Sequence, residues 1–108
     1  MLTFIDVIPS RNSIRPGEDL NILGGAANRG KAMQADISVW GSTGNGWVPL
    51  VTERFVIEEG EHKHLYFTIT PDMLYDTLWA DGPEEFDLII RDSRPVKEEN
   101  GVLIFLKE

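Results

Sequence analysis

Apolar and polar residues alternate with a period of two along most of the chain, and turn-forming residues break the alternation at short intervals. A period of two marks strands with one buried face, because successive side chains on a strand point to opposite sides. Phe4, Asp6 and Ile8 oppose Ile5 and Val7 on a first strand, which Pro9-Ser10 ends. In the turn Arg15-Pro16-Gly17-Glu18, Pro presets φ and Gly relieves crowding. Leu20, Ile22, Gly24 and Ala26 share one face of a second strand, closed by Asn28-Arg29-Gly30-Lys31. Ala35, Ile37 and Val39 share a face of a third, with Asp36, Ser38 and Trp40 opposite. Residues 47–51 and 54–57 read as two short strands, and Glu59-Gly60-Glu61 then turns the chain. His64, Tyr66 and Thr68 alternate with Leu65, Phe67 and Ile69, and residues 86–91 and 102–106 complete the set.

One segment departs from this period. Thr70 is placed to cap a helix and Pro71 fits its first position, while Leu74/Leu78 and Tyr75/Trp79 fall four apart before Gly82-Pro83 stops the run. The spacing predicts a helix of about two turns, a length that holds only by packing. The expected architecture is therefore an immunoglobulin-like antiparallel β-sandwich of seven or eight strands, a single domain over 1–108, with one short helix inserted before the penultimate strand. Val102, Ile104 and Leu106 alternate with Leu103 and Phe105, so both faces of the last strand are apolar. Leu74, Leu78 and Trp79 are the expected cover for its second face.

Composition narrows the chemistry. The 108 residues, 42% of them hydrophobic, suffice for one ordinary core. Without cysteine there is no disulfide, thiolate ligand or thiol nucleophile. Eighteen acidic against ten basic residues give a net charge of −8, which repels phosphate backbones and argues against nucleic acid. No apolar run approaches the roughly 20 residues of a bilayer span, and the first residues show no secretion signal. If the parent protein is exported, this is expected to be a domain cut from a longer precursor, extracellular or at the cell surface.

The order of the turns supplies a resemblance. Ile5-Asp6-Val7, Pro16-Gly17-Glu18, the Leu20/Ile22/Gly24/Ala26 alternation, Asn28-Arg29-Gly30 and the passage from Ile57-Glu58-Glu59-Gly60-Glu61 into Leu65-Tyr66-Phe67-Thr68-Ile69-Thr70-Pro71 resemble the bacterial cell-adhesion-related module called CARDB. The resemblance covers about two thirds of the chain and implies an immunoglobulin-like sandwich serving as a spacer or recognition unit. After Pro71 the chain departs from that pattern: it inserts the helical segment and carries Phe86 where a tyrosine corner would stand.

Three places carry candidate chemistry. Trp40 and Trp47 flank the turn Gly41-Ser42-Thr43-Gly44-Asn45-Gly46; with Tyr66 they are the candidate stacking surface for a polysaccharide. The competing explanation is a cross-strand aromatic pair, worth roughly 0.2–1 kcal/mol, which suffices to account for both indoles. His62 and His64 share a strand face and, beside Glu58, Glu59 or Glu61, form a two-residue metal pattern short of the three or four ligands a site needs. The acidic stretch 81–87 lacks the alternate oxygens of a calcium loop, and Pro83 stiffens it. No nucleophile elbow, phosphate loop or zincin motif is present, and Leu23-Gly24-Gly25-Ala26-Ala27 lacks the lysine of a phosphate loop. The sequence thus reads as non-enzymatic and cofactor-free: a spacer or protein-interaction module, with a carbohydrate-binding module or a small acidic protease inhibitor as alternatives.

Overall fold

The computed structural model describes residues 2–15, 17–43, 46–74, 85–92 and 102–106. In chain order the elements are β1 (Leu2–Pro9), β2 (Ser13–Ile14), β3 (Leu20–Asn28), β4 (Met33–Ser42), β5 (Trp47–Ile57), β6 (His62–Ile69), α1 (Pro71–Leu74), β7 (Glu85–Asp92) and β8 (Val102–Leu106). One sheet has the order β1-β3-β6 and the other β2-β8-β7-β4-β5. All pairings are antiparallel except β2 with β8, where Ser13 faces Phe105 and Ile14 faces Leu106. This is the immunoglobulin-like sandwich expected from the alternation, with the chain passing from one sheet to the other after β1, after β2, after β3, after β5 and again after β6, by way of α1.

The core lies between the two sheets. Leu20, Ile22, Leu65, Phe67 and Ile69 from the smaller sheet meet Ile37, Val39, Leu88, Ile90 and Ile104 from the larger one, all of them buried. Phe55 closes on Phe67 edge-to-face, with centroids 5.8 Å apart and planes at 73°. Burying each such aliphatic or aromatic side chain contributes about 1.5–3 kcal/mol, so the interior is sustained by inward-facing residues alone. Met73 of α1 packs against this core and α1 lies beside β5. The expected second helical turn, with Leu78 and Trp79, and the side chain of Leu74 lie outside the described residues.

Two bulges correct the sequence reading. On β1 the register passes from Ile5↔Gly25 to Val7↔Gly24, which leaves Asp6 as an extra residue. Strict alternation set Phe4 against Val7; with the bulge both pack on the core, and Ile8 turns outward. On β5 the register moves from Val39↔Val51 to Trp40↔Pro49, so Leu50 and Val51 both contribute to the core. The two short strands read from the sequence are one strand of 11 residues carrying this irregularity.

The same turn chemistry is used twice. Glu18 N–H donates to Arg15 C=O (3.1 Å) while Arg15 N–H donates to the Glu18 carboxylate (2.7 Å). Glu61 N–H donates to Glu58 C=O (3.0 Å) and Glu58 N–H to the Glu61 carboxylate (2.9 Å). Each turn needs a positive φ at its third position, supplied by Gly17 (87°) and Gly60 (75°). Asn28, buried at the end of β3, ties the second turn to the bend that precedes β4. Its Nδ2 donates to Lys31 O (2.8 Å), Ile57 O (3.1 Å) and Glu58 O (3.3 Å), and its Oδ1 accepts from Gly30 N–H (3.0 Å). Its backbone accepts from Gly60 N–H and donates to Glu61 O, both at 2.9 Å.

Candidate functional site

The outer face of the β1-β3-β6 sheet follows from alternation. Because Leu20, Ile22, Leu65, Phe67 and Ile69 point into the core, Asn21, Leu23, Gly25 and Ala27 of β3 and His62, His64, Tyr66 and Thr68 of β6 point away from it. The registers arrange these as cross-strand rows: Thr3–Ala27–His62, then Gly25–His64, then Ile8–Leu23–Tyr66, then Asn21–Thr68. The third row runs across all three strands and stands open to solvent, with Ile8 54%, Leu23 42% and Tyr66 59% exposed. The β1 bulge is what aligns Ile8 with Leu23.

The described side chains of this face carry no formal charge. Among the nine of them, Gly25 having none, there is no Asp, Glu, Lys or Arg, whereas the chain's 26% charged content would place two or three there. Lys63, between the two histidines in sequence, points to the other side and donates from Nζ to Val56 O (3.0 Å). At the polar end the Thr68 hydroxyl donates to Asn21 Oδ1 (2.9 Å), so that row satisfies itself. His62 and His64 are exposed and stacked, with centroids 5.9 Å apart and planes at 23°. A ligand here would meet two imidazoles and a phenol on an aliphatic floor. Such a surface combines exposed apolar area with a few directional hydrogen-bonding groups.

The outer face of the larger sheet is built differently. Arg54 Nε donates to Asp36 Oδ1 (2.9 Å) across β4 and β5. This hydrogen bond, helped by the guanidinium charge, holds the Asp36 carboxyl below its ordinary value and raises Arg54. Glu18 is likewise lowered, first by the Arg15 N–H and then by Arg11, whose guanidinium donates to the same carboxylate. These pairs are solvent-exposed, and nothing about them prepares a proton transfer.

Trp40, Trp47 and Tyr66 are not brought together. Trp40 is only 6% exposed, and its Nε1 donates to Asp92 O (3.1 Å). It is a structural indole rather than an exposed stacking surface, because little of the ring reaches solvent and its N–H is satisfied by a main-chain carbonyl. Trp47 is half-buried opposite Ser42, two places along the same face from Pro49, the partner of Trp40. The two indoles therefore sit diagonally, a placement the hairpin reading allowed. Tyr66 stands on the other sheet, facing away from both. Among the described residues no three His, Cys, Asp or Glu converge on a point, so His62 and His64 stand as a pair. Of the acidic stretch, 81–84 lies outside the described residues, and Phe86 is buried between Glu85 and Asp87.

No protein-family model matches the sequence, and no curated protein does. Solved structures do match. A β-glucosidase from Erythrobacter marinus shares the fold at TM-score 0.72 and 18% identity, over 99% of this chain and 15% of that one. A β-glucosidase from Listeria innocua, in complex with glucose, does so at TM-score 0.68 and 14% identity, over 100% of this chain and 16% of that one. The likeness is one of fold.

The chain thus spans about one sixth of the length of the enzymes it matches. Ile8 and Leu23 were not singled out from the sequence. The available signal was an apolar residue on the polar side of two strands, meaningful only once their register is known.

Proposed function

We propose that this chain is a non-catalytic β-sandwich module that spaces or docks other parts of a larger bacterial protein, a role of the kind the CARDB resemblance implies. The observation that carries the reading is an open sheet face whose described side chains carry no formal charge, on a strongly acidic chain. Three further facts support it. The interior is filled by aliphatic and aromatic side chains. The ion-paired carboxylates among the described residues, Glu18 and Asp36, pair with arginines on the surface rather than with a second acid in a cleft. The fold also recurs as about one sixth of much longer β-glucosidase chains, the size relation of an appended unit to a host.

Assay of the purified chain against aryl β-glucosides tests the non-catalytic part. No turnover above buffer is expected; turnover abolished by a single carboxylate-to-amide substitution would overturn the reading. A second reading, a sugar-binding surface, is favoured by one observation: Tyr66 is exposed beside two histidines on a fold shared with glycosidases. Its centre is Tyr66 rather than Trp40. Titration with β-glucans, followed by tyrosine and tryptophan fluorescence with Tyr66→Ser as control, distinguishes the two: saturable binding lost in the variant would establish the sugar reading, and a flat titration would remove it.

A further inference from the structure

We infer that Lys63 keeps this chain from pairing with a second copy of itself along β6, by holding an ammonium group on the inner side of an open strand edge. Among the described residues four strands form the sheet edges, β1 and β6 in one sheet and β2 and β5 in the other. Three of them are blunted by other means. β1 carries the bulge at Asp6 and ends on Pro9, and β2 has only two residues. β5 carries Pro49, a register irregularity and the exposed Glu53 and Arg54. β6 has a regular register and neither proline nor glycine, and His64-Leu65-Tyr66-Phe67-Thr68-Ile69 carries no formal charge. An uncharged run of β-favouring residues on an edge is the pattern that templates strand addition.

The ladder shows which backbone groups are open. Asn28 N–H donates to Glu61 O (2.9 Å). With the unshifted register, this makes Ala26↔Lys63, Gly24↔Leu65, Ile22↔Phe67 and Leu20↔Ile69 the mutually hydrogen-bonded pairs. The N–H and C=O groups of His62, His64, Tyr66 and Thr68 therefore point out of the sheet, on the side where β6 has no ladder partner among the described residues. Two antiparallel copies can use those groups only if outward-bonding positions face each other, which also sets inward side chains against inward side chains. In the registers of longest overlap, Lys63 then stands opposite a second copy's Phe67 or Ile69. The half-buried Lys63 is held on that side by the bond from Nζ to Val56 O (3.0 Å) of β5, across the gap that Phe55 and Phe67 also span. An added strand would close over this gap and strip water from the ammonium, which one carbonyl does not offset. The net charge of −8 adds a long-range repulsion that salt screens within about 8 Å, whereas Lys63 acts at contact.

Sedimentation of the chain and of Lys63→Val over a concentration series at physiological salt tests the inference. The wild-type chain is expected to keep the mass of one chain, and Lys63→Val to rise with concentration toward two chains or more. Lys63→Thr gives the same readout from a polar but uncharged residue, and decides the matter if the valine variant loses its fold. Lys63→Arg retains the cation and stays monomeric. His64→Pro, added to Lys63→Val, removes an outward N–H that makes no bond to β3 and restores the monomer. Both uncharged variants remaining monomeric overturns the inference, as does a wild-type chain that self-associates. Association that His64→Pro leaves intact overturns it too. So does association accompanied in both variants by loss of the strand signal in far-ultraviolet dichroism, since it would come from unfolded chain rather than from the edge.

Discussion

Removing the carboxamide of Asn28 should unfasten one end of the sandwich at a cost that the structure specifies. In Asn28→Ala the backbone bonds to Gly60 and Glu61 survive, because they do not involve the side chain. What goes is the acceptor for Gly30 N–H and the donors to Lys31 O, Ile57 O and Glu58 O. Nδ2 carries only two hydrogens, so three carbonyls share two full bonds, with Glu58 O at 3.3 Å the weakest claimant. Three full hydrogen bonds are thus lost, at about 1 kcal/mol each. The bond to Ile57 O is buried, and a carbonyl orphaned there adds up to about 1 kcal/mol, the lower end of the desolvation range, since the lost bond is already counted. The expected loss is about 3–4 kcal/mol, read as a fall of about 12–25 °C in thermal midpoint for a domain of this size. Asn28→Asp sharpens the test. It keeps the acceptor for Gly30 but turns an oxygen toward the carbonyls, so a carboxylate there has its pKa raised. The penalty is present above the ordinary carboxylate range and is relieved as pH falls and the group takes up a proton. Urea unfolding of both variants at neutral and acidic pH is the assay. A loss below about 1 kcal/mol for Asn28→Ala would show that the four contacts do not hold the two turns together. So would an Asp variant as stable as the Ala variant at neutral pH.

Two further outcomes follow from the turns and the surface pairs. Gly17→Ala and Gly60→Ala should each cost about 1–2 kcal/mol, purely from the positive φ, since an added Cβ meets nothing within 4 Å at either site. The two turns lie at opposite ends of β3, so the double variant's loss in a denaturation curve should equal the sum, and strong non-additivity would refute that account. Glu18 and Asp36 are lowered in the folded chain from 4.5 and 3.8, so their contribution is present above those values and disappears as pH falls through the lower folded ones. The difference in thermal midpoint between the protein and Glu18→Gln or Asp36→Asn should therefore shrink on acidification. A difference independent of pH would contradict the pairing.

The sandwich, its inward residues and most of its turns were legible as a one-dimensional pattern. Alternation put Ile22, Val39 and Phe67 on the apolar side of their strands, and all three are buried. Pro16-Gly17-Glu18 and Glu59-Gly60-Glu61 were read as turns from residue chemistry, and Asn28-Arg29-Gly30 proves to be the local half of a clamp whose other half comes from 57–58. The bulges at Asp6 and Leu50 left no such trace, because an extra residue in a ladder is defined by its partner strand. Trp40 was placed correctly off the core face, yet its burial and its bond to Asp92 depend on a strand some fifty positions later.

Local rules therefore determined which residues turn the chain and which side of each strand is apolar, since both depend on neighbours one to three positions away. Tertiary structure alone decided which outward residues share a face. Ile8, Leu23 and Tyr66 stand in one row only because a bulge shifts β1 by one residue and β3 lies between β1 and β6. Strand order and register are set by the global fit of two sheets around one core, and no window of sequence contains that information.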